Sequence, residues 1–131
     1  MTSHIASITL LVPDYDAGIR FYVDDLGFEL LEDTPLSPGK RWVRVAPTGA
    51  ETAILLAKAA TPQQHAATGN QTGGRVGFFL QTDDFERDYA RMQERGVTFL
   101  ETPRHETYGS VVVFTDPFCN KWDLIQLKSG D

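Results

Sequence analysis

The chain has 131 residues, 41% of them hydrophobic and 23% charged, with a formal net charge of -6. This is ordinary globular composition, enough for one compact unit or two very small ones, and it excludes a disordered chain. There is no Lys/Arg cluster, and an acidic surface repels phosphates, so no nucleic-acid partner is expected. The lone Cys119 cannot form an internal disulfide. No apolar run approaches the roughly 20 residues that span a bilayer, and Met1 to Ala6 lack a basic segment leading into an apolar one. A cytoplasmic protein without membrane contact is expected.

Taken in chain order, Ser7 to Val12 alternates, with Ile8, Leu10 and Val12 on one face, and predicts a strand. Asp14 or Asp16 then caps a helix carrying the stripe Ile19, Tyr22, Val23 and Leu26, which stops at Gly27. A strand from Phe28 to Glu32 and a Pro-containing loop from Pro35 to Lys40 follow. Two more strands, Arg41 to Ala46 and Thr52 to Ala57, are joined through Pro47-Thr48-Gly49-Ala50. The stretch from Thr61 to Gly74 is rich in Gln, Thr and Gly and reads as an exposed loop.

The same series then recurs. Arg75 to Thr82 alternates, with Val76, Phe78 and Leu80 on one face. Asp83 or Asp84 caps a weaker helical stripe of Phe85, Tyr89, Met92 and Arg95, stopped at Gly96. A strand Val97 to Glu101, a loop Pro103 to Tyr108, and strands Ser110 to Thr115 and Lys121 to Leu127 complete it. Residues 11–33 and 80–102 align without a gap at an offset of 69, placing Tyr22 against Arg91 and Gly27 against Gly96. The chain therefore reads as two βαβββ modules, residues 1–60 and 75–131, joined by a linker over 61–74. Each sheet buries one face under its helix; pairing the two covers the other faces and leaves a concave space.

Specific residues now carry a resemblance. They are Val12-Pro13-Asp14, Phe21-Tyr22, Leu26-Gly27-Phe28, Thr115-Asp116-Pro117 and Asn120 to Ile125. In that order and duplicated spacing the sequence resembles the vicinal-oxygen-chelate superfamily of glyoxalases, bleomycin-resistance proteins and extradiol dioxygenases. The resemblance implies an α+β fold, two βαβββ modules forming curved mixed sheets around a concave cavity, and a homodimer. Cys119 stands where the family usually has glycine, and Asn120 is expected to supply the left-handed turn residue instead.

Metal-dependent members of that family hold a divalent ion with four side chains. Carried over by position, these fall at Ser7, Leu55, Gly77 and Asp123, of which Asp123 alone is a plausible ligand. The expectation is therefore no metal and no other cofactor; the alternative is a divalent ion such as Ni, Zn, Mn or Fe held by other residues. His4, His65 and His105 read as exposed side chains.

Alternation puts Ser7, Thr9, Leu11, Arg75, Gly77, Phe79, Gln81, Asp123 and Ile125 on the face away from the helices, a mixture of apolar walls and polar anchors suited to a small organic ligand. Ser7, Thr9, Trp42, Arg44, Arg75 and Phe79 are the candidate binding residues. Trp42 and Arg44 offer a stacking wall and a fixed cation if they point inward, and are plain surface residues if they point outward. Asp123 either pairs with Arg44 or Arg75, binds a cationic ligand, or serves as a base; His105 and Tyr108 are its candidate partners in proton transfer. Three functions follow: metal-independent binding of a small organic molecule, in the manner of bleomycin-resistance-type proteins; a metal-dependent lyase, isomerase or dioxygenase; or a metal-free acid/base enzyme using Asp123 with His105 or Tyr108.

Overall fold

The computed structural model describes residues 2–128. Met1 and residues 129–131, the outer ends of the two expected modules, lie outside the described residues. The chain divides into two compact units, Met1–Thr68 and Gly69–Asp131.

The first unit is a four-stranded mixed sheet in the order β1-β4-β3-β2. Its strands are β1 (Ser7–Val12), β2 (Glu29–Ser37), β3 (Lys40–Ala46) and β4 (Ala53–Lys58). β1 runs parallel to β4, and the other pairs are antiparallel. Helix α1 (Tyr15–Ile19) covers one face and continues as a π-helical segment, Arg20–Asp25. Leu10, Val12, Val43, Val45 and Leu56 are buried on that face. Gly18 brings the helix close: a Cβ there would stand 3.2 Å from Leu56 and 3.3 Å from Val12.

β2 does not stop at Glu32 as expected. It absorbs Pro35 and turns at Pro38-Gly39. As the outermost strand it tolerates a residue without an N–H, and its register shifts twice, between Leu30 and Glu32 and between Pro35 and Ser37. Arg41 pins the far end of this hairpin to the helix, holding Asp33 and Asp16 at 2.7 and 2.9 Å with its guanidinium over the Tyr15 ring.

The second unit has β5 (Phe78–Gln81), β6 (Thr98–Phe99), β7 (Arg104–Glu106), β8 (Gly109–Thr115) and β9 (Lys121–Leu127). Their order is β5-β9-β8-β6, with β7 also paired to β8. α3 (Phe85–Glu94) packs Phe85 and Met92 inward. An aromatic series crosses this core, from Phe78 over Trp122, Phe114 and Phe99 to Tyr89, with ring centroids 4.8–6.3 Å apart.

Two segments expected as loops are ordered. Pro62–Ala67 forms helix α2, capped by Thr61 through Gln64 N–H, so the expected linker is partly helical. Arg104–Glu106 is a strand, and β6 and β7 are two halves of one edge strand interrupted around Pro103. β5 in turn begins only at Phe78.

The repeat is displaced within the helix. Asp14 and Asp84 are the caps, each accepting the backbone N–H three residues on. Gly27 lies thirteen positions after Asp14, but Gly96 only twelve after Asp84. The extra residue sits in the π-helical turn, where Leu26 N–H reaches Phe21 C=O, five residues back. Phe28 N–H closes on Tyr22 C=O across six residues; Val97 N–H closes on Met92 C=O across five. Tyr22 therefore corresponds to Met92, both buried, rather than to Arg91. The same widening buries Phe21 and Tyr22 together in place of the regular stripe with Ile19 and Val23.

Candidate functional site

Each sheet has one face under its helix and one face opposite, and the register assigns the candidate side chains.

In the first unit, Val43 and Val45 point to the helix, so Trp42 and Arg44 lie on the opposite face. Arg44 is held there: its Nε donates to Ser7 Oγ at 3.1 Å and a terminal N–H donates to Glu32 Oε1 at 3.2 Å. Trp42, opposite Thr34, is 38% exposed. Ser7 and Thr9 share this face, with Thr9 beside Leu55. Ser7, Trp42 and Arg44 thus form one surface, an exposed indole beside a guanidinium whose orientation is fixed by two partners. Glu32, which does half of that fixing, was not a sequence candidate because its strand was expected to end there.

In the second unit, Asp123 stands between Phe79 of β5 and Val113 of β8 on the face away from α3. Phe79 is 66% exposed. Asp123 Oδ1 is fully buried and has no hydrogen-bond partner among the described residues. Burial pushes the Asp123 carboxyl above the ordinary aspartate range; Arg104 pulls it back and Glu101 pushes it further. A desolvated, unpaired carboxylate is costly, and an incoming N–H or O–H donor relieves that cost.

The register also sorts the expected partners of Asp123. Arg104 pairs with Val111 and shares the Asp123 face; His105 pairs with Ser110 and lies on the other. The His105 Nδ1 lies 2.9 Å from Ser110 Oγ. The two sides of a strand alternate, so reading the segment as a loop wrongly allowed His105 to reach Asp123. Tyr108, in the β7–β8 turn, is exposed. Arg75 lies in the turn before β5, ahead of the first strand residue Phe78, and its backbone carbonyl accepts from Thr72 Oγ1. Glu101 was missed as a site residue, and Arg104 and Glu106 were seen only as part of a loop, 104–109, that could cover the pocket, with no role of their own. Their signal was the alternation of Arg104 with Glu106, masked by the flanking Pro103 and Gly109.

A recess of about 730 Å³ opens elsewhere in this unit, lined by Gln81 to Asp83, Ser110 and Gln126. Asp123 does not line it. Gln126 is already consumed, accepting from Phe85 N–H and donating to Asp83 C=O.

The residues do not fit the family's metal centre. Of its four positions, Leu55 and Gly77 offer no side-chain donor, and the Ser7 hydroxyl already accepts from Arg44. Among the described residues no group of three His, Cys, Asp or Glu side chains converges.

The turn before β9 also departs from its expected form. Cys119, not Asn120, takes the left-handed conformation, with φ 73°. Asn120 is committed elsewhere: its N–H and side-chain amide both donate to buried Asp116, and its side-chain oxygen accepts from Gly69 N–H.

Known proteins place this arrangement. The family described as Glyoxalase/Bleomycin resistance protein/Dioxygenase superfamily matches residues 4–124. An uncharacterized protein of Shewanella frigidimarina is 51% identical, covering 98% of this chain and 96% of its own. Among solved structures, TnmS3, an antibiotic binding protein from Streptomyces sp. CB03234, is 35% identical with a TM-score of 0.80, covering 97% of this chain and 98% of that one. A glyoxalase/bleomycin resistance protein from the same Streptomyces is 36% identical with a TM-score of 0.75, covering 94% and 100%. Sequence, strand order and these likenesses agree: the chain belongs to the glyoxalase, bleomycin-resistance and dioxygenase superfamily.

Proposed function

We propose that this protein binds a small organic molecule without the help of a metal ion, and that Asp123 anchors it. The observation that carries this reading is the Asp123 carboxylate, with one oxygen buried and unpartnered beside the exposed ring of Phe79. A flat ligand with an N–H or O–H group satisfies both, stacking on the ring and donating to the oxygen. The antibiotic-binding description of TnmS3 supports binding over turnover. The protein is further proposed to act in the cytoplasm as a homodimer; among the described residues no helix is long and apolar enough to cross a membrane.

The test is a thermal-shift screen of flat aromatic compounds, with and without amine groups, on chelator-treated protein. Compounds that raise the melting temperature of wild type are expected to lose most of that effect on Asp123→Ala. Hits that act equally on both proteins would remove Asp123 from the site.

A further inference from the structure

A carboxylate that lacks a partner on the same sheet face as an arginine needs an explanation. Arg104 has five N–H donors on a long flexible stem and stands within electrostatic reach of Asp123. It nevertheless makes no hydrogen bond to Asp123 Oδ1. The structure shows what occupies it instead. Arg104 Nε donates to Glu101 Oε1 at 3.0 Å, and a terminal N–H donates to Glu106 Oε1 at 3.1 Å.

Glu101 is itself fixed. Its second oxygen, Oε2, accepts the Val113 backbone N–H at 3.0 Å. The edge strand is interrupted around Pro103, and Leu100 N–H keeps only the Val113 carbonyl. The Glu101 side chain takes the place of the missing strand for the Val113 N–H. Val113 is the register partner of Asp123, so the gap in the edge strand lies across β8 from the carboxylate, on the far side of Val113.

We propose that Glu101 and Glu106 are positioning residues that hold the Arg104 guanidinium off Asp123 and so keep the Asp123 carboxylate free for a ligand. This rests on the reading of Asp123 as the ligand anchor. The clasp of two glutamates and one arginine carries a net negative charge, so with Asp123 this face favours a ligand bearing a cationic amine over its neutral counterpart.

The first arm of the test needs no ligand. Urea midpoints are measured for Arg104→Ala, Asp123→Ala and the pair, in wild type and in a Glu101→Gln, Glu106→Gln background. Glutamine keeps an oxygen for the Val113 N–H while releasing the charge that holds Arg104. In wild type the two effects are expected to add. In the Gln background they are expected to be coupled, because Arg104 now pairs with Asp123, and Asp123→Ala lowers the midpoint there alone. Additivity in both backgrounds, or strong coupling already in wild type, would overturn the proposal. If the double Gln protein does not fold, Glu106→Gln alone serves, since among the described residues the Glu106 side chain accepts from Arg104 and from no backbone N–H.

The second arm uses a thermal-shift hit. Its affinity should fall about tenfold in the Gln background and recover when Arg104→Ala is added, a rescue that a merely structural role for the glutamates does not give. No recovery contradicts the positioning role. Binding indifferent to Asp123→Ala contradicts instead the anchor reading, whatever the stability cycle shows.

Discussion

At the scale of single residues, the two most informative side chains are Asp123 and Cys119. The folded Asp123 carboxyl sits above its unfolded value of about 3.9, so folding favours its protonated form. The sign follows from linkage: the cost of its charge is absent below the unfolded value and is fully present above the folded one. Asp123→Asn should therefore be more stable than wild type at pH 7 and lose that advantage as pH falls from the raised folded value to about 4. Urea denaturation at the two pH values checks this, and the carboxylates lowered by arginine, Asp33 and Asp88, cancel in the difference. A constant difference across pH contradicts it. Cys119 holds a left-handed backbone that costs a side-chain-bearing residue about 1 kcal/mol or more. Cys119→Gly should raise stability by about 0.5–1 kcal/mol after the greater freedom of unfolded glycine is deducted. Both residues were legible in the sequence, Asp123 by alternation and Cys119 by departure from the family's glycine. Which residue turns the chain was not legible, because Asn120 and Cys119 are both competent until the Asp116 bonds commit Asn120.

At the scale of elements, alternation gave β1 and β9 with the expected bounds at both ends, but placed the start of β5 three residues early. The failures lie at edges. β2 and β7 are edge strands, where proline is tolerated; the end of β2 from Pro35 and the whole of β7 were read as loops because they contain or adjoin one. The extra helical residue was hidden because an ungapped alignment spread it between the strand end and the glycine. Two predictions belong here. Phe99→Ala breaks the aromatic series between Phe114 and Tyr89 and, with Phe99 half-buried, should cost about 2–3 kcal/mol, read from the urea midpoint. Gly109→Ala should be worse, since its Cβ would be driven into the Gln126 carbonyl oxygen and to 2.9 Å from Leu127 Cα. A cost below 1 kcal/mol for Gly109→Ala would mean that β8 and β9 separate more easily than their close approach implies.

At the scale of the whole molecule, the duplicated βαβββ order was legible because each half repeats the same acidic cap, glycine stop and alternating strands. The family followed from that order. The candidate site was legible only in part. Period two names the face of a residue, but not whether its polar atoms are free or engaged, which depends on pairing partners far along the chain. Arg44 is engaged by Ser7 and Glu32, while Asp123 Oδ1 is buried beside Phe79 without a hydrogen-bond partner among the described residues. No count of residues along the sequence distinguishes those two cases.

The measurement closest to the central claim is calorimetric titration of chelator-treated protein with the compound giving the largest thermal shift, repeated after adding nickel, zinc, manganese or iron(II) in turn. The account predicts saturable binding without metal, a Kd unchanged by any of the four ions, and at least tenfold weaker binding by Asp123→Ala. Binding that appears only once one of the ions is supplied would contradict it.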